Sequence, residues 1–130
     1  MWRGDRTTNI APLAQPPQLT VVTAAARRYN NEGAANRDPA LPRELEATWR
    51  GVLEATKISG AQHLVVSAIG CGAFCNPPEV VATALVKALR ACAPGTALRK
   101  ITACVLNDHN IRDNVKRFRE VMLRSWARDL

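Results

Sequence analysis

Three short apolar runs, each nearly continuous and each followed by a loop and a helical period, constrain this chain more than any other feature. The first is Leu19-Thr20-Val21-Val22-Thr23-Ala24. The second is His63-Leu64-Val65-Val66-Ser67-Ala68-Ile69, and the third is Lys100-Ile101-Thr102-Ala103-Cys104-Val105-Leu106. Short runs rich in β-branched residues, without alternation, suit strands covered on both faces. After the first run come an Asn-, Gly- and Pro-rich loop and then Pro42. Leu45, Trp49, Val52, Leu53 and Thr56 follow at i, i+4, i+7, i+8 and i+11, one helix face that stops near Ser59-Gly60. After the second run, Asn76 reads as an N-cap, with Pro77 at the first helical position and Glu79 three residues after the cap. Val80, Val81, Ala84, Leu85, Ala88 and Leu89 supply the apolar face, and Pro94-Gly95 ends it. After the third run, Ile111, Val115, Phe118, Met122 and Trp126 predict a last amphipathic helix.

The spacing predicts strands over 19–24, 63–69 and 100–106 and helices over 43–58, 77–91 and 111–127. Strands alternating with helices imply an α/β fold, with a mostly parallel sheet and helices on both faces. Residues 1–18, broken by Pro12, Pro16 and Pro17, read as an irregular lead-in to a domain over 19–130. In such sheets ligands sit at the carboxyl ends of the strands. The search for function therefore narrows to Ala24–Asn30, Gly70–Asn76 and Asn107–Asn110.

At 130 residues the chain makes one domain. No apolar run approaches the length of a membrane span, and Met1-Trp2-Arg3-Gly4-Asp5-Arg6 has no signal-peptide core. Eighteen basic residues, fourteen of them Arg, against eleven acidic ones give a net charge of +7. That charge suits an anionic partner such as nucleic acid, a nucleotide or a phosphorylated ligand, or simply a solvated Arg-rich surface. Cys71, Cys75, Cys92 and Cys104 are too few and too irregular for a disulfide scaffold. They read as reduced thiols of a cytoplasmic protein, with Cys92 and Cys104 as small core residues. No C-x-x-C pair is present and His63 and His109 are the only histidines, so no metal site is expected.

Gly70-Cys71-Gly72-Ala73-Phe74-Cys75 carries the most chemical information. Two glycines after a strand and before a helix let the backbone turn and present successive N–H groups, with the helix's positive end behind them. That arrangement holds phosphate or diphosphate; a plain tight turn is the simpler alternative. A Walker loop is excluded because no Lys-Ser/Thr follows, and the dinucleotide fingerprint lacks its third Gly, Cys75 standing there. Cys71 as a nucleophile at a helix N-terminus, with His109 as base, is a further reading. A nucleophile elbow would need Gly where Ile69 and Ala73 stand.

The stretch Val65-Val66-Ser67-Ala68-Ile69-Gly70-Cys71-Gly72-Ala73-Phe74-Cys75-Asn76-Pro77-Pro78-Glu79-Val80-Val81-Ala82 resembles the microbial-type poly(ADP-ribose) glycohydrolase catalytic domain, a branch of the macrodomain superfamily. Val21 to Ala26, Asn114 with Phe118 in an N-x-x-x-F element, and Trp2-Arg3-Gly4-Asp5 extend the resemblance over almost the whole chain, matching the C-terminal portion of the family domain. It implies a three-layer α/β/α macrodomain-like fold, N-terminally incomplete, that binds ADP-ribose or poly(ADP-ribose)-modified proteins without a cofactor. By the match, Gly70, Cys71, Gly72, Ala73 and Phe74 surround the diphosphate and distal ribose. Cys71 would contribute only a backbone N–H, and Phe74 an aromatic face. The family's Gly-rich catalytic loop with paired glutamates has no counterpart here, and Glu44 and Glu46 lie in the wrong context. Glycoside cleavage needs a carboxylic acid at the leaving oxygen. No catalytic residue is therefore assigned, and the expectation is binding only, or a truncated enzyme. A basic nucleic-acid-binding domain is the alternative, with Arg27, Arg28, Arg112, Lys116, Arg119 and Arg124 as a phosphate-binding face, although Tyr29 alone makes no single-strand stacking platform. A ligand-free fragment that associates through exposed sheet edges is the third reading.

Overall fold

A computed structural model of the chain describes residues 12–127, with side chains through residue 125. The Trp2–Asp5 stretch and the side chain of Trp126 lie outside the described residues. The elements run α1 (Glu32–Asn36), α2 (Leu41–Ser59), β1 (His63–Ser67), α3 (Pro78–Cys92), a 3-10 turn (Ala93–Gly95), β2 (Lys100–Cys104) and α4 (Asn114–Ala127).

The longest helix, α2, forms where the apolar period predicts it. Leu41, Leu45, Trp49, Val52, Leu53 and Thr56 are all buried on one face. Pro42 sits in its first turn, and Gly60 ends it at φ 68° with an N–H donated to Lys57 O. That left-handed position is one glycine takes without cost. Helix α3 is the centre of the core. Val81, Ala82, Ala84, Leu85, Val86, Ala88 and Leu89 are buried, more than one stripe, because α3 packs against both α2 and α4. Its alanines let those helices approach closely, and the Trp49 indole donates to Val81 O across the α2–α3 contact.

β1 and β2 pair in parallel, in register from His63↔Lys100 to Ser67↔Cys104. Leu64, Val66 and Ile101 face the helical core. His63, Val65 and Thr102 point to the opposite face, where the His63 ring meets Thr102 Oγ1 at 2.8 Å. A strand, a helix and a parallel strand in sequence bear out the α/β reading.

Several expectations need correction. Residues 19–24 are not a strand, for among the described residues they meet no hydrogen-bonded neighbour. Leu19 and Val21 stay 60% and 76% exposed. The segment instead borders a cleft of about 400 Å³ beside Trp49 and β1. Strand propensity expresses fit to a neighbouring strand, and among the described residues none is in place here. The other strands end at Ser67 and Cys104, because Ala68–Gly70 already turns and Val105–Asp108 leaves the ladder. Cys104 is exposed on the open sheet face, whereas Cys92 packs against the core as read. All four thiols are free.

Candidate functional site

The loop between β1 and α3 is fixed from three sides. Gly70 sits at φ +73°. A methyl group there would stand 2.6 Å from Asn76 Nδ2 and 2.7 Å from Ala26 Cβ, so only glycine fits. Asn76 is fully buried and spends its amide on the loop. Nδ2 donates to Arg27 O at 2.7 Å, Phe74 O at 3.1 Å and Gly70 O at 3.3 Å. It is therefore not the N-cap expected of it. Pro77 holds that position without a side-chain hydrogen bond, and α3 begins at Pro78. Glu79 does not close a capping box either, since Arg117 takes both its oxygens, at 2.5 and 2.7 Å.

Asn114 pins the loop from the far side. Its Nδ2 donates to Cys71 O at 2.6 Å and to Leu106 O at 3.3 Å. That demand explains a departure in α4. Asn114 occupies a core position beside Ile111, Phe118 and Val121, while Val115, expected on the apolar face, is 37% exposed. Asn107 Oδ1 accepts from Val115 N and caps the helix. The guanidinium of Arg117 joins Glu32 of α1 and Glu79 of α3 to α4, holding three helices together beside the loop.

The segment 24–30 and the loops after β1 and β2 come together, although no strand precedes the first of them. Tyr29 N donates to Phe74 O at 3.0 Å, Arg27 O receives Asn76, and Asp108 Oδ2 lies against Gly72. Between them opens a groove of about 350 Å³, lined by Gly70–Phe74 together with Ser67, Leu106 and Asp108. The backbone decides what it can hold. Cys71 N donates to Ala68 O, Cys75 N to Gly72 O and Asn76 N to Gly70 O. Among the described residues, the N–H groups of Gly72, Ala73 and Phe74 meet no acceptor. These three successive N–H groups lie in the turn that leads into α3. Phe74 is 41% exposed, which leaves its ring face accessible.

The chain is similar to the poly(ADP-ribose) glycohydrolase of Deinococcus radiodurans in complex with ADP-ribose. The two are 29% identical with a TM-score of 0.72, over 95% of this chain and 49% of that chain. In fold the chain is poly(ADP-ribose) glycohydrolase-like. The apo form of the same enzyme gives 29% identity and a TM-score of 0.66, over 95% of this chain and 50% of the other. A threonine-to-arginine mutant in complex with ADP-ribose gives 31% identity and a TM-score of 0.58, over 71% of this chain and 39% of the other. The glycohydrolase-like chain thus spans about half the length of the structures it matches. No family model and no curated protein matches it.

Within the Gly70–Asn76 loop the residues divide by what their groups do. Gly72, Ala73 and Phe74 offer open donors. Gly70 makes the turn, and Cys71 is structural: its N–H donates to Ala68 O and its C=O accepts from Asn114 Nδ2, contrary to the expectation that its N–H faces a ligand. Its thiol is buried, and desolvation pushes its pKa up to about 12, against the low pKa a nucleophile needs. Cys75 stands at φ 56°, in the left-handed region where glycine is the usual occupant. The roles of Asn76 and Asn114 were hidden in the sequence. Asn76 looked like a helix cap, and Asn114 was only part of a motif. Arg27, expected on a free basic face, is instead paired with Asp38 and Glu44, and Asp38 also receives the Tyr29 hydroxyl. Tyr29 is held up to about 12, by burial first and by that hydrogen bond second. Glu44 and Glu46 serve Arg27 and Arg50 on α2, away from the groove. Among the described residues no helix is long and apolar enough to cross a membrane. No group of three His, Cys, Asp or Glu side chains there is placed to hold a metal ion.

Proposed function

We propose that the chain carries an ADP-ribose site of the glycohydrolase type, and that it binds ADP-ribose or ADP-ribosylated protein without cleaving it alone. One observation carries the reading: the open N–H groups of Gly72, Ala73 and Phe74, in a loop that Gly70, Asn76 and Asn114 hold rigid. Preset donors cost no reorganisation when an anion arrives, and a diphosphate spans several of them. The Phe74 ring lies beside the donors, where a ribose would follow the diphosphate. The similarity to a glycohydrolase in complex with ADP-ribose supports the same ligand class.

Cleavage needs a protonated carboxyl at the ribosyl oxygen. Asp108 is the carboxyl group lining the groove. The N–H of Asn110 holds it below the usual carboxylate range, so it stays ionised and has no proton to give. Glu32 and Glu79 are committed to Arg117. In calorimetry the chain should bind ADP-ribose. With poly(ADP-ribose) it should release no ADP-ribose above background, since losing a general acid costs on the order of 10²–10⁴ in rate. Salt-dependent binding of DNA or RNA that ADP-ribose does not compete away would support the nucleic-acid alternative, for which Lys116 and Arg119 remain exposed on α4.

A further inference from the structure

A carboxylate stands where an anion cradle should least want one. Asp108 Oδ2 lies 3.2 Å from where a Gly72 Cβ would be, on the wall of the groove that offers the open N–H groups. Its other oxygen accepts from Asn110 N at 2.6 Å, which fixes the carboxylate in a tight turn. Gly72 is at an ordinary φ, so glycine there serves space rather than turn geometry: it lets Asp108 close against the loop. A second anion within a few ångströms repels a bare phosphate. The same carboxylate is a strong acceptor for hydroxyl groups.

We infer that Asp108 is a specificity-determining residue, accepting hydroxyl hydrogen bonds from the distal ribose and so selecting ADP-ribose over ADP at this groove. The inference rests on the ADP-ribose reading above and deepens it. The N–H groups of Gly72 to Phe74 recognise the diphosphate that both nucleotides share. Asp108 makes a ligand without the distal ribose less favourable, because then its charge faces the diphosphate uncompensated. A hydroxyl pair in between turns the same charge into two accepted hydrogen bonds. The acceptor is held by its own turn rather than by the ligand, so recognition requires no rearrangement.

The test is calorimetric titration of ADP-ribose and of ADP into the full chain, as wild type, Asp108→Asn and Asp108→Ala. Asparagine keeps the oxygen that receives Asn110 N and replaces the free oxygen by an NH₂ group, so the turn survives. ADP-ribose affinity should fall about tenfold or more in both variants. ADP affinity should stay level or rise, and the preference between the two should collapse. Thermal unfolding of Asp108→Asn should match wild type and so separate recognition from folding. If both nucleotides weaken by the same factor, or both tighten, Asp108 does not read the ribose and the inference falls while the ADP-ribose site stands. If the wild type binds neither nucleotide, the site reading and this inference fall together.

Discussion

The Gly70–Asn76 loop and the 19–24 segment have opposite relations between local sequence and structure. The loop contains two glycines and two residues at positive φ, the signature of flexible chain, yet it is anchored from several sides while the N–H groups of Gly72, Ala73 and Phe74 stay open. Gly70 is locked against Ala26 and Asn76, three carbonyls converge on one amide, and Asn114 reaches in from α4. The 19–24 segment has the β-branched composition of a core strand, yet forms no ladder and leaves Val21 exposed. Order in this molecule follows the number of tertiary partners rather than local propensity. A turn enclosed by two asparagines is rigid, and an apolar run without a neighbour is not a strand.

The largest effect expected from that contrast is at Gly70. Gly70→Ala puts a Cβ into positive φ and into contact with Asn76 and Ala26, costing about 2–4 kcal/mol in urea unfolding. A cost near zero would show that the loop yields and is not held. Next is Asn76→Ala, which removes the side-chain donor from the carbonyls of Arg27, Gly70 and Phe74 and should cost about 1–3 kcal/mol, with ADP-ribose binding lost as the loop loosens. Stability intact with binding lost would instead make Asn76 a ligand contact.

A smaller effect is expected at acid pH. Arg117 holds the Glu79 carboxyl below its ordinary value of 4.5, so its folded pKa is depressed. That contribution is present above pH 4.5 and is lost as pH falls below it. Unfolding curves between pH 3 and pH 6 should show Arg117→Met flattening this acid limb. An unchanged limb would place the acid sensitivity in other carboxylates. The smallest effect is on the other side of the comparison. Val21→Thr, at a site 76% exposed, should change stability by less than about 0.5 kcal/mol. A loss above 1 kcal/mol would mean that the segment is packed in solution and that the contrast with the loop is false.

Much of this was legible in the residues. The period of Leu45, Trp49, Val52, Leu53 and Thr56 marks α2 because a helix against a core needs one apolar face, and all five are buried. The loop's position after a strand and before a helix also followed, because Gly-Cys-Gly cannot continue either element. Neither asparagine's job could be read. Asn76 precedes two prolines in a cap-like sequence, and only the fold shows its amide reaching back 49 residues to Arg27 O. The five-residue α1, capped by Asn31 Oδ1 on Ala34 N, lay hidden in a stretch whose Gly and Asn content reads as loop. Cys71 misled for a related reason. At a helix N-terminus a thiol should acidify, but burial outweighs the helix and raises its pKa.

The central claim is that backbone N–H groups of Gly72, Ala73 and Phe74 receive the ligand's diphosphate. Amide NMR of the uniformly ¹⁵N-labelled chain, titrated with ADP-ribose, tests it at those atoms. The amide signals of Gly72, Ala73 and Phe74 should shift most. The amide of Cys71, already bonded to Ala68 O, should shift less, and that of Gly60 at the end of α2 should stay still. Saturable binding whose largest shifts fall on Lys116 and Arg119 of α4, with Gly72 to Phe74 unmoved, would contradict it.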